Sequence, residues 1–122
     1  GSKATADSAL MEKVFTDVKR RGLYFLDSFV THKSVCLGLA HRFKLRFARR
    51  AVFLDNDPTP AVIRQRLMEL AQEASISGEA LGIGHDRPAT LEVLREAIPA
   101  LEKAGYTFVP ASRLARVPPQ EE

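Results

Sequence analysis

Apolar residues recur along this chain in two alternating rhythms. Between Ser8 and Arg21 they fall at Leu10, Met11, Val14, Phe15 and Val18, the three-and-four spacing of a single helix face. Ser8 stands where a helix cap belongs, and Lys19, Arg20 and Arg21 occupy the last turn, where cations suit the exposed carbonyls. Gly22 then stops the helix. A continuous apolar run, Leu23-Tyr24-Phe25-Leu26, predicts a short buried strand ending at Asp27-Ser28. A second helix is predicted from about Lys33 to His41, with Val35, Cys36, Leu39 and Ala40 inward. The cycle repeats with a strand at Ala51-Val52-Phe53-Leu54 that ends at Asp55-Asn56, after which Asp57, Pro58 and Pro60 break the chain. A third helix follows over Pro60 to Ser77, with Ile63, Leu67, Leu70 and Ala71 on one face and Gly78 closing it. A third strand runs from Ala80 to Gly84, a fourth helix from Pro88 to Lys103, and a fourth strand from Tyr106 to Val109. Residues 115–122, with two prolines and two terminal glutamates, read as a disordered tail.

Helices alternating with continuous apolar strands predict an α/β fold with a parallel sheet and right-handed crossovers. Three strands end in polar groups: Asp27-Ser28, Asp55-Asn56 and His85-Asp86. In a parallel arrangement those ends converge on one rim, where such folds bind substrate. The single histidine at a strand end, His85, is the candidate acid or base, because an imidazole titrates near neutral pH. Asp55 is the candidate that orients it or holds a positive partner, and Asp27 a candidate to hydrogen-bond a sugar or a group behind the site. The same residue types also start turns and cap helices, so a purely structural use of these positions competes with the chemical one. His32 and His41 read as surface residues, and no two histidines have metal-ligand spacing.

The 122 residues suit one domain, and 45% hydrophobic content is ordinary for a folded one. A net charge of +3 is too weak to argue for nucleic acid. The basic run from His41 to Arg50 alternates Phe43, Leu45 and Phe47 with Arg42, Lys44 and Arg46, a half-buried extended segment rather than an exposed stacking platform. No nucleic-acid partner is expected. The lone cysteine, Cys36, excludes an internal disulfide, and no run is long enough to span a membrane as a helix.

Four segments carry a family resemblance. Arg21-Gly22-Leu23-Tyr24-Phe25-Leu26-Asp27-Ser28, Arg50-Ala51-Val52-Phe53-Leu54-Asp55-Asn56, Ile83-Gly84-His85 with Pro88-Ala89-Thr90-Leu91, and Gly105-Tyr106-Thr107-Phe108-Val109-Pro110-Ala111-Ser112 together resemble the divergent polysaccharide deacetylases of bacteria. The resemblance implies that residues 3–114 form the carboxyl-terminal half of an irregular (β/α) barrel of the polysaccharide deacetylase type. It also implies metal-dependent hydrolysis of N-acetyl groups on an envelope glycan, in the cell envelope or periplasm. His85 matches the late-strand acid and Asp55 an acidic supporting position, while Asp27, Ser28, Asn56 and Arg50 fall where the glycan would be bound. A divalent metal, usually zinc, is implied for the full family domain. The family's Asp-Asp strand end and metal-binding histidines would lie upstream of Gly1, so no metal and no turnover are expected of these residues alone. Gly1-Ser2 fits either an expression scar or native sequence following a His-Met pair. A half barrel leaves open strand edges, so a homodimer or larger assembly is expected. The alternative to an enzyme is a non-catalytic glycan-binding or assembly module of the cell envelope.

Overall fold

A computed structural model describes residues 1–119. They form five α-helices and four short β-strands: α1 (Ser2–Thr5), α2 (Ser8–Arg20), β1 (Phe25–Asp27), α3 (Cys36–Phe43), β2 (Phe47–Arg49), β3 (Val52–Phe53), α4 (Pro60–Ser77), β4 (Gly82–Ile83) and α5 (Pro88–Lys103). A 3-10 turn, Ala111–Leu114, follows. The chain divides into two compact units, residues 1–49 with the stretch from Ala111 onward, and Arg50–Pro110.

The first unit is a βαβ crossover preceded by two helices, α1 and α2. β1 and β2 run parallel, Phe25 opposite Phe47 and Asp27 opposite Arg49. The core gathers Met11 and Phe15 from α2, Cys36, Leu39 and Ala40 from α3, and Leu45 and Phe47 from the basic segment. Phe15 is fully buried, with its ring centroid 4.8 Å from Phe25 and 6.3 Å from Phe43. Asp7 caps α2, not Ser8: its carboxylate accepts the Leu10 amide at 3.1 Å, and Ser8 is already helical. Gly22 ends α2 at φ 71, a left-handed turn that a β-carbon would strain, and the Leu23 amide donates back to the Val18 carbonyl.

The second unit repeats the crossover. β3 and β4 run parallel, Val52 opposite Gly82 and Phe53 opposite Ile83. Ile63, Leu67 and Ala71 of α4, Val93 and Leu101 of α5, and Leu54 fill its core. Thr59 precedes Pro60 and Arg87 precedes Pro88, so each long helix starts on a proline whose missing N–H costs nothing there.

Besides the α2 cap, four expectations change. The stretch from Phe47 to Phe53 is two strands separated by Arg50 and Ala51, where one beginning at Ala51 was expected. Its first half pairs with β1 and its second half with β4. The basic run is extended only in part: His41 to Phe43 end α3, and Lys44 turns left-handed at φ 53 before Leu45 and Phe47 bury. Tyr106–Val109 is not a strand among the described residues. No neighbour offers it a ladder, and Phe108 and Val109 are 44% and 37% exposed. The tail is ordered as far as it is described. Arg116 makes an antiparallel bridge to Phe47 with bonds of 2.9 Å each way, Ala115 is buried, and the Pro118 carbonyl lies 2.9 Å from His41 Nδ1. Residues 120–122 lie outside the described residues.

Candidate functional site

Asp55 stands directly after Leu54 where the β3 segment ends, and His85 directly after Gly84 beyond β4. Parallel pairing of β3 and β4 therefore delivers the two side chains to one end of the sheet. Their contact is direct. His85 Nδ1 lies 2.7 Å from Asp55 Oδ1, and the His85 amide donates to Asp55 Oδ2 at 2.6 Å. The Thr90 hydroxyl donates to the same Oδ2 at 2.6 Å. The Arg87 guanidinium closes the group by donating to the Asp55 carbonyl at 2.9 Å.

The two partners differ in exposure. The Asp55 side chain is fully buried, whereas that of His85 is 52% exposed. Burial alone pushes a carboxyl toward its neutral form. Here the hydrogen bonds from Thr90, the His85 ring and the His85 amide, together with the imidazole's charge, outweigh burial and hold Asp55 at about 2. An ionised Asp55 is an acceptor only, so His85 Nδ1 must carry the proton it shares with Oδ1. The free lone pair of the neutral ring then sits on Nε2.

The other candidate residues divide between places. Arg50 and Asn56 line one cleft of ≈ 380 Å³ with Phe53, Asp57, Arg66 and Glu69, and the Arg50 guanidinium lies 3.9 Å over the Phe53 ring. Neither His85 nor Asp55 lines that cleft. Asp27, in the first unit, is buried and spends both oxygens on its own loop. Oδ1 accepts the Phe29 amide and Oδ2 the Ser34 hydroxyl, each at 2.8 Å. Phe29 sits there at φ 53, and Ser34 in turn accepts the Cys36 amide at 3.2 Å. This is the turn-building use that a strand-end aspartate also allows. Ser28 is half-buried in the same loop.

Reading the sequence for candidate residues missed Thr90 and Arg87. Their signal was position: both fall within five residues of His85, where a helix beginning at Pro88 turns its first residues back toward the strand end. For a metal, the donor chemistry is decisive. Among the described residues no three His, Cys, Asp or Glu side chains gather, and both Asp55 oxygens already hold protein donors.

Parallel βα units with an Asp–His pair at their strand ends define a class of α/β fold, and comparison makes it specific. The model of the divergent polysaccharide deacetylases matches residues 1–115, and this chain belongs to that family. It is 34% identical to YibQ of Escherichia coli over 118 residues, which is 97% of this chain and 37% of YibQ. It is also 36% identical over 98 residues to an uncharacterized protein of Haemophilus influenzae, covering 80% of this chain and 35% of that one. The crystal structure of uncharacterized protein ATU2773 from Agrobacterium tumefaciens superposes with a TM-score of 0.91 at 26% identity. That match covers 93% of this chain and 46% of ATU2773. The chain thus spans little more than a third of the curated relatives it matches. The α/β fold with parallel strands, which the family resemblance implied to be of the polysaccharide deacetylase type, is the fold observed.

Proposed function

We propose that the natural protein carrying this chain removes N-acetyl groups from an envelope glycan, with His85 as the acid for the departing amine and Asp55 as the residue that orients it. The observation carrying this reading is the 2.7 Å contact between a half-exposed imidazole and a fully buried carboxylate at the strand ends of a deacetylase-family chain. Amide hydrolysis adds water across the C–N bond and yields acetate and a free amine. The amine leaves poorly as an anion, so a proton must reach nitrogen as the bond breaks. With Nδ1 committed to Asp55, a protonated His85 offers that proton from Nε2. Asp55 keeps the ring in this orientation and stabilises its charged form, the division of labour of an acid with an orienting carboxylate.

Family resemblance assigns water activation to a divalent metal, usually zinc. The described residues of this chain do not fit one, and no step is assigned to it. Arg50 and Asn56, which share a cleft, are proposed to contact the glycan, whereas Asp27, buried with both oxygens tied to its own loop, is not offered as a glycan contact. The rival reading is a non-catalytic glycan-binding module in the cell envelope.

Acetate release from N-acetylated oligosaccharides by the natural gene product separates the two readings. The enzyme reading expects release that falls by about 10²–10⁴ in His85→Gln, the span of a lost general acid. Glycan binding with no release from the unaltered protein would establish the module instead. Release that survives His85→Gln unchanged would remove His85 from the chemistry.

A further inference from the structure

We infer that Thr90 is the positioning residue of the His85–Asp55 pair: its buried hydroxyl fixes the Asp55 carboxylate so that one oxygen alone faces the imidazole. The catalytic meaning of this assignment rests on the proposed deacetylase reading, but its geometry and its test do not.

Three donors share the two carboxylate oxygens unequally. Among the described residues, Oδ2 receives the His85 amide and the Thr90 hydroxyl, both at 2.6 Å, while Oδ1 receives His85 Nδ1 alone. The amide is part of the chain and arrives whatever side chain stands at position 90. Among the described residues the hydroxyl is the one side-chain donor on Oδ2, and it comes from a residue only 1% exposed. A buried hydroxyl has no water to turn to, so its bond to the carboxylate persists. Two donors on Oδ2 pin that oxygen and stop rotation about the Cβ–Cγ bond. Oδ1 is then held in the plane where it meets Nδ1.

Packing places the hydroxyl. Thr90 is the third residue of α5, a helix that starts at Pro88 immediately after the His85 turn. Gly84 makes the approach possible. A β-carbon there would lie 3.2 Å from Thr90 Cγ2, a tight approach, and in ordinary contact at 3.5 Å from Asp55 Oδ2, so a larger residue would crowd Thr90. The charged groups bonded to Asp55 are His85, beyond β4, and Arg87, before α5; Arg87 holds the backbone carbonyl rather than the carboxylate. Neither substitutes for the Thr90 hydroxyl on Oδ2.

The experiment compares the chain with Thr90→Val, which keeps the shape and loses the hydroxyl, and Thr90→Ser, which keeps the hydroxyl and loses a methyl. The carboxyl carbon of Asp55 and the ring nitrogens of His85 are followed by NMR across pH. Thr90→Val is expected to raise the Asp55 titration midpoint by about one pH unit, the worth of one hydrogen bond to a charged group. The His85 ring should at the same time lose its single Nδ1–H tautomer and broaden. Thr90→Ser should restore both signals. Should Thr90→Val fail to fold, Thr90→Ala supplies the same comparison without a methyl against the carboxylate. A folded Val or Ala variant whose Asp55 midpoint and His85 tautomer match the unaltered chain would overturn the assignment. So would a Ser variant that behaves like Val. In the natural gene product the same variants should lower kcat with KM kept. Loss of turnover in every form, the unaltered one included, would count against the deacetylase reading and leave the NMR result to decide Thr90.

Discussion

Replacing Asp55 with Asn tests the electrostatics of the pair through stability. Asp55 ionises at about 2 in the folded chain against an ordinary 3.8. At about 1.36 kcal/mol per pKa unit, the gap stabilises the fold by about 2.5 kcal/mol near neutral pH. The folded value is the lower one, so this contribution is present above pH 4–5 and lost as the solution is acidified. Linkage removes about 1 kcal/mol of it by pH 3 and about 2 kcal/mol by pH 2. The substituted amide cannot titrate; with its oxygen accepting from the His85 amide and the Thr90 hydroxyl, its nitrogen faces His85 Nδ1, so the charge-assisted bonds are lost and the imidazole proton is driven to Nε2. At pH 7 Asp55→Asn should therefore cost about 2–4 kcal/mol, the range for breaking charge-assisted bonds in a buried site. The informative quantity is how that cost changes with pH. Asp17, held low by Arg20, and Asp57, held low by Thr59, titrate in both proteins and cancel in the difference. Urea unfolding of both forms at pH 7, 5, 4 and 3, followed by circular dichroism and by amide signals from α4 and α5, measures it. The two stabilities should converge on acidification. A gap that stays constant from pH 7 to pH 3 would refute the account of Asp55 as a carboxylate held ionised by its neighbours.

Gly84→Ala should destabilise the chain by about 1–2 kcal/mol and shift the Asp55 and His85 signals, because the new methyl lies 3.2 Å from a locked Thr90. A neutral effect in chemical denaturation would show that α5 yields easily. Phe15→Ala, which empties the centre of the Phe25 and Phe43 cluster, should cost about 3–5 kcal/mol in the same measurement. Zinc titrated calorimetrically into the chain is expected to show no one-to-one site of sub-micromolar affinity, and such a site would reveal ligands that the donor geometry does not suggest. Association is expected from light scattering at micromolar concentration, and a cooperative monomer would mean that the chain needs no partner copy.

The periodicity determined much by itself. Helices α2, α4 and α5 follow from three-and-four spacing and from the residues that start and stop them, because capping and burial of one face are local requirements. The strand-end positions of Asp55 and His85 were legible for the same reason: an apolar run ends where polar groups begin. Strand pairing was not legible. Tyr106–Val109 has strand composition, but a strand exists only beside another strand, and no local pattern records whether one is there. Phe47–Arg49 pairs with β1 although it reads as the end of a charged run, since only its inward side chains meet the core. The roles within the site likewise depended on distance between segments. Asp27 and Asp55 look alike in sequence, each closing an apolar strand. Tertiary structure gives one a loop to tie and the other an imidazole to hold, because hydrogen-bond partners arrive from elsewhere in the chain: Ser34 for Asp27, and His85 and Thr90 for Asp55.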